Sequence, residues 1–125
     1  MKFVITSATI ICFFLLTSLS GGAAHDYSAT IGPLQDTIIP DFYNDLTFLD
    51  NGVKLTDAPA KWSYSFIGDK VDVTENDGKY LVYCKPHNSE RHAILMIYLD
   101  KKVVFKKTYP IPVMTPELKK RIDGL

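Results

Sequence analysis

Residues 62–85 read WSYSFIGDKVDVTENDGKYLVYCK, and this run decides the fold. From Trp62 to Ile67 the side chains alternate, with Trp62, Tyr64 and Phe66 on one side and Ser63 and Ser65 on the other. A period of two belongs to an extended strand. Gly68-Asp69 breaks it, and Lys70 to Thr74 resumes it with Val71 and Val73 inward. Asn76-Asp77-Gly78 is a further turn, after which Lys79 to Lys85 places Tyr80, Val82 and Cys84 on one face. Three short alternating segments parted by turn residues predict an all-β domain.

The same grammar extends in both directions. Leu46 to Asp50 and Val53 to Thr56 flank Asn51-Gly52, a pair suited to the positive φ angles of a type I′ hairpin turn. His92 to Leu99 (HAILMIYL) is apolar at nearly every position, which predicts a central strand covered on both faces. Asp100-Lys101 is expected to turn it into Lys102 to Tyr109. Weaker strands are expected at Ser28 to Ile31 and Thr37 to Ile39. The prediction is an antiparallel immunoglobulin-like two-sheet sandwich of 7–8 strands over residues 25–113. Residues 114–125 form a proline-rich exit and a short basic helix. Pro110, Pro112 and Pro116 are expected to end the sheet. Thr115 caps the helix, Pro116 opens it, Lys119, Lys120 and Arg121 lie near its negative end, and Gly124 terminates it.

Residues 1–24 have another character. Lys2 precedes a mostly apolar run, Phe3 to Leu19, and Gly22 and Ala24 are small residues placed for a cut before His25. That is the layout of a secretory signal peptide. It predicts a secreted or periplasmic protein with no membrane span after signal cleavage. Cleavage would remove one lysine and leave 13 basic against 14 acidic residues, so charge offers no reason to expect nucleic acid as a partner. The basic residues gather late, at Lys101, Lys102, Lys106, Lys107, Lys119, Lys120 and Arg121, and are read as a solvated strand face and a helix end.

Cys12 lies within the apolar leader, which leaves Cys84 as the one cysteine of the mature chain. No internal disulfide is then available, and the apolar core must hold the domain. Cys84 shares a strand face with Tyr80 and Val82, so a buried, inert thiol is expected, close to Trp62.

The segment Asn76-Asp77-Gly78-Lys79-Tyr80-Leu81-Val82 resembles the E–F corner of immunoglobulin-like domains, with Val82 where cysteine often stands and Trp62 as the core aromatic. Three pieces resemble the immunoglobulin-like C-terminal domains of the shaft protein of the Bacteroidetes gliding and type IX secretion machinery. They are FYNDLTF (Phe42 to Phe48), DGKYLVYCKP (Asp77 to Pro86) and VVFKKTYPIPV (Val103 to Val113). The resemblance implies an envelope sandwich that works through protein contacts.

No catalytic motif is present: no G-x-S-x-G, P-loop, G-x-G-x-x-G, H-E-x-x-H or C-x-x-C. The expectation is therefore a non-enzymatic module without a cofactor, catalytic residues or resident metal, whose partner is another protein. The alternative rests on the three histidines. After cleavage His25 would present a free amine and a ring nitrogen, and Glu90-Arg91-His92 resembles the acidic-x-His pair of small periplasmic copper carriers. In that reading His25, Glu90 and His92 must converge on one Cu(II). Otherwise Pro86 to Arg91 is a loop at one end of the sandwich, a usual contact surface.

Overall fold

The computed structural model describes residues 24–125. The signal-peptide reading falls almost wholly outside them. Eight strands and one helix follow in order: β1 (Tyr27–Gly32), β2 (Asn44–Asp50), β3 (Val53–Lys54), β4 (Trp62–Gly68), β5 (Asp72–Asn76), β6 (Lys79–Tyr83), β7 (Arg91–Leu99), β8 (Lys102–Ile111) and α1 (Pro116–Asp123). All strand pairs are antiparallel, and they form two sheets. The larger has the order β1-β2-β6-β5, with β3 on part of β2, and the smaller has the order β4-β7-β8. The all-β two-sheet sandwich with a short C-terminal helix is as the alternation predicts.

Inward side chains of both sheets form one core. Ala29, Ile31, Leu46, Phe48 and Val82 meet Ala93, Leu95, Ile97, Tyr109 and Ile111, all nearly or fully buried. An aromatic cluster fills the β2, β4, β6 side: Phe48 packs on Trp62, Tyr64 and Tyr80 with ring centroids 4.9–5.0 Å apart, two of these contacts edge to face. Val82 and Cys84 are buried as expected, whereas Trp62 and Tyr80 are half-buried, because they stand toward the open side of the cluster. Tight two-residue turns join three hairpins. Asn51-Gly52, Asp77-Gly78 and Asp100-Lys101 all have positive φ at both positions, between 52° and 80°, the conformation that fits the twist of the flanking strands.

Several local expectations are corrected. Thr37 to Ile39 is no strand. Ile38 donates its N–H to the Pro110 carbonyl (3.0 Å), and the next residue is held by a side chain. Buried Asn44 accepts from the Ile39 N–H (2.9 Å) and donates to the carbonyls of Ile39, Phe42 and Val82 at 3.0–3.1 Å. One amide thus replaces a neighbouring strand. The strand expected at Lys70 to Thr74 lies two residues later. Gly68 has φ +97° and the Asp69 N–H still bonds the His92 carbonyl at 3.0 Å, so the chain leaves β7 late before crossing to the other sheet.

β6 ends at Tyr83, one residue before Cys84, and β3 has only two residues of the expected Val53 to Thr56. β8 continues through Pro110 to Ile111, because it is an edge strand and the missing N–H disturbs no second ladder. β7 is central in its sheet but, among the described residues, covered on one face only. Ala93, Leu95 and Ile97 are buried, while Ile94, Met96 and Tyr98 are half-buried on the other side. The Asn76–Gly78 turn joins β5 to β6 within one sheet, so it is not the sheet-crossing E–F corner it resembled. That crossing lies between Tyr83 and Arg91.

The C-terminal helix follows its end signals. Thr115 accepts the Leu118 N–H at 3.1 Å, Pro116 opens the first turn, and Lys120 and Arg121 occupy the last. Gly124 ends it in right-handed rather than left-handed backbone. Leu118 is its buried anchor. No helix among the described residues is long and apolar enough to cross a membrane.

Candidate functional site

The three residues of the copper alternative do not meet. His25 precedes β1, where its ring stacks on Tyr27 and its Nδ1 lies 2.7 Å from the Asp50 carboxylate. Glu90 lines a hollow with Leu34, Thr37 and Pro110, and Leu34 follows the far end of β1. The six residues of β1 therefore separate the two, on the order of 20 Å at a strand's rise. His92 is exposed on β7 opposite Pro110. Among the described residues no three His, Cys, Asp or Glu side chains are grouped to hold a metal.

The Pro86 to Arg91 loop holds a cluster that composition did not reveal. The Asp69 carboxylate, 12% exposed, lies 3.3 Å from His87 Nε2 and 3.6 Å from the Arg91 guanidinium. Cys84 lines the same cavity of about 180 Å³, with Lys70, Asp72 and Lys85. A cysteine, a histidine and an aspartate side by side suggest a nucleophile and its base. Burial, assisted by the negative charge of Asp69, instead pushes the Cys84 thiol up to about 11. A thiol held protonated at neutral pH and 2% exposed is not an activated nucleophile. The Arg91 ion pair and the His87 contact tie the loop to the β4–β5 connection, which is a structural role.

The outer faces of the two sheets offer a clearer surface. Pairing places Ser63, Tyr98 and Val103 in one outward row of the small sheet, Ser65, Met96 and Lys106 in the next, and Ile67, Ile94 and Thr108 in a third. Ile67, Val103 and Val104 are 45%, 51% and 42% exposed. Val104 is the extra residue of a bulge, since Ile97 pairs with Phe105 and Tyr98 with Val103. Ser65 and Tyr98 share a hydrogen bond of 3.1 Å across the middle. These three rows hold one lysine and no acidic residue, and Lys61, Asp100 and Lys101 border them beside Ser63 and Tyr98. Half of the face was legible as the apolar alternate positions of HAILMIYL; that nothing among the described residues covers them was not.

Comparison with family models, with curated proteins and with solved structures finds no match to this chain.

Proposed function

We propose that this chain is an exported, non-enzymatic protein-interaction or structural module of the cell envelope, secreted or periplasmic, and that the outer face of the β4-β7-β8 sheet is its contact surface. The observation that carries the reading is a partly apolar sheet face that no second layer covers among the described residues. Contiguous exposed apolar surface on a small domain marks an interaction site more often than solvation. Strand order supports the immunoglobulin-like reading. Without two-residue β3, the order β1-β2-β6-β5 over β4-β7-β8 corresponds to the two sheets of a constant-type immunoglobulin domain, with Trp62 on the strand that carries the core tryptophan there. Phe48 stands against Trp62 in place of a disulfide. The signal-like residues 1–24 support export.

The test is photocrosslinking in the source cells with a photoreactive side chain at Met96, compared with one at Thr47 on the opposite outer face. Protein adducts at Met96 and none at Thr47 are expected. No adduct at Met96, or the same adducts at both positions, overturns the reading. Intact mass of the exported material is expected to place its first residue at His25; a chain that retains Met1 contradicts the processing.

A further inference from the structure

A sheet edge presents unpaired N–H and C=O groups, and proteins guard such edges with charges, proline or a covering segment. Three of the four outer strands here are guarded. β8 carries Lys102, Lys106, Lys107 and Pro110, and β5 carries Asp72 and Glu75. β1 closes against β8, where the Tyr109 hydroxyl donates to the Ala29 carbonyl at 3.0 Å. β4, sequence WSYSFIG, has no charged residue and no proline.

Two hydrogen bonds fix which groups of β4 point away from β7. The Asp69 N–H donates to the His92 carbonyl and the Asp100 N–H to the Lys61 carbonyl, at 3.0 and 2.9 Å. Both bonds follow the β4–β7 register, in which Ser63 faces Tyr98 and Ser65 faces Met96. Odd-numbered residues therefore exchange bonds with β7, and Tyr64 and Phe66 turn their N–H and C=O to the free edge.

The layering shapes the space beside that edge. β8 lies against β1, and Tyr64 of β4 lies against Phe48 of β2 and Tyr80 of β6, at 4.9 and 5.8 Å. β5 is the strand beyond β6 and ends the large sheet on the side where β4 ends the small one, with Val73 half-buried against the core. Its inward residues are Val73, opposite Val82, and Glu75, opposite Tyr80. Among the described residues Glu75 takes part in no ion pair. The register sets Glu75 opposite Tyr80, and burial, with the Glu75 charge contributing, raises the pKa of both Tyr64 and Tyr80.

We propose that β4 accepts one extended strand of a partner protein, which adds to the small sheet under β5, uncharged in its middle and with a lysine or arginine facing Glu75. A partner strand suits the edge better than a second copy of β4, because β4 carries no basic residue to face Glu75. The edge is a different surface from the outer face described above, and the two stand or fall separately. Main-chain bonds to Tyr64 and Phe66 would supply affinity, and alternate side-chain positions the selectivity.

The probe is a displayed library of random peptides, about a dozen residues long to exceed a usual strand, selected on the full chain. Enriched peptides are expected to alternate β-branched with polar residues and to carry one basic residue. Their binding is expected to slow hydrogen exchange at the Tyr64 and Phe66 amides by roughly tenfold or more. Methylating alternate peptide nitrogens is expected to abolish binding in one of the two phases only. Glu75→Lys, at an exposed position, is expected to weaken the basic peptides roughly tenfold, about 1.4 kcal/mol, and to favour acidic ones. Failure to enrich any peptide, or unchanged exchange at Tyr64 and Phe66 in a bound complex, overturns the proposal. Binding indifferent to Glu75→Lys overturns the charge assignment. A dimer in sedimentation that protects the same amides overturns the choice of a partner strand over a second copy.

Discussion

The outer face of the small sheet and that of the large sheet arise from the same alternation and are finished differently. On the large sheet, Ser28, Thr30, Asp45, Thr47, Asp72 and Thr74 point outward, with Leu49, Leu81 and Tyr83 among them. On the small sheet Ile67, Ile94, Met96, Tyr98 and Val103 alternate with Ser63, Ser65, Lys106 and Thr108. The first face is mostly polar, and the second is about half apolar. Antiparallel sheets commonly pack one face and solvate the other, and the large sheet does so. Among the described residues nothing packs on the apolar positions of the small sheet's outer face, and the proposed contact rests on that observation.

That contrast is sharpest within β7, where adjacent residues serve opposite faces. Leu95→Ala, at a position with no exposed surface, is expected to cost about 2–5 kcal/mol as a large-to-small core change. Met96→Ala, the next residue, is expected to cost about 1 kcal/mol or less. Urea unfolding of both variants measures the difference, and equal losses would mean that the outer face is as well packed as the core. Asn44→Ala removes four hydrogen bonds and leaves buried backbone groups of Ile39 and Val82 unpaired. An expected cost of about 2–3 kcal/mol follows from such orphaned groups, readable in the same titration.

Cys84 probes the pH dependence of the inner side. Its thiol is raised from the ordinary 9.0 to about 11. Between those values the unfolded chain releases a proton that the native chain keeps, so stability falls as pH rises from about 9 to about 11. One such group contributes a slope of at most about 1.4 kcal/mol per pH unit. Tyr64, Tyr80 and Tyr109 are also raised, chiefly by burial, and steepen the fall at higher pH. Cys84→Ala is expected to flatten the onset. Native protein at pH 8 is expected to resist a thiol reagent until it unfolds, and rapid labelling would place Cys84 outside the core. The smallest effect belongs to His25. Its hydrogen bond with the Asp50 carboxylate is half-exposed on the His25 side, so His25→Ala is expected to change stability by less than about 1 kcal/mol. A larger loss would show that the end of β1 is anchored through that pair.

Strands and turns were legible because they are local. WSYSFI, KYLVY and the Asn51-Gly52 and Asp77-Gly78 turns carry their conformation in adjacent residues, through side-chain alternation and tolerance of positive φ. Places where local and tertiary demands differ were misread. Ile38 and Ile39 are apolar and β-branched, yet their backbone groups bond Pro110 and the side chain of Asn44 instead of a strand. Pro110 was read as a stop, although an edge strand tolerates it. The copper alternative paired histidines and an acid by sequence pattern, and the length of β1 holds them apart.

By itself, then, the sequence determined the strand period, the hairpin turns, the helix caps at Thr115 and Pro116, and the leader-like character of residues 1–24. These depend on a few neighbouring residues and on preferences of the backbone. Only the tertiary structure decided which strands are edges, which face of β7 meets the core, and that β4 and β5 end their sheets on the same side. Those outcomes depend on contacts between residues far apart in the chain, such as Tyr109 with Ala29 and Tyr64 with Tyr80. A period of two names two faces of a strand, and only packing against the opposite sheet settles which one is buried.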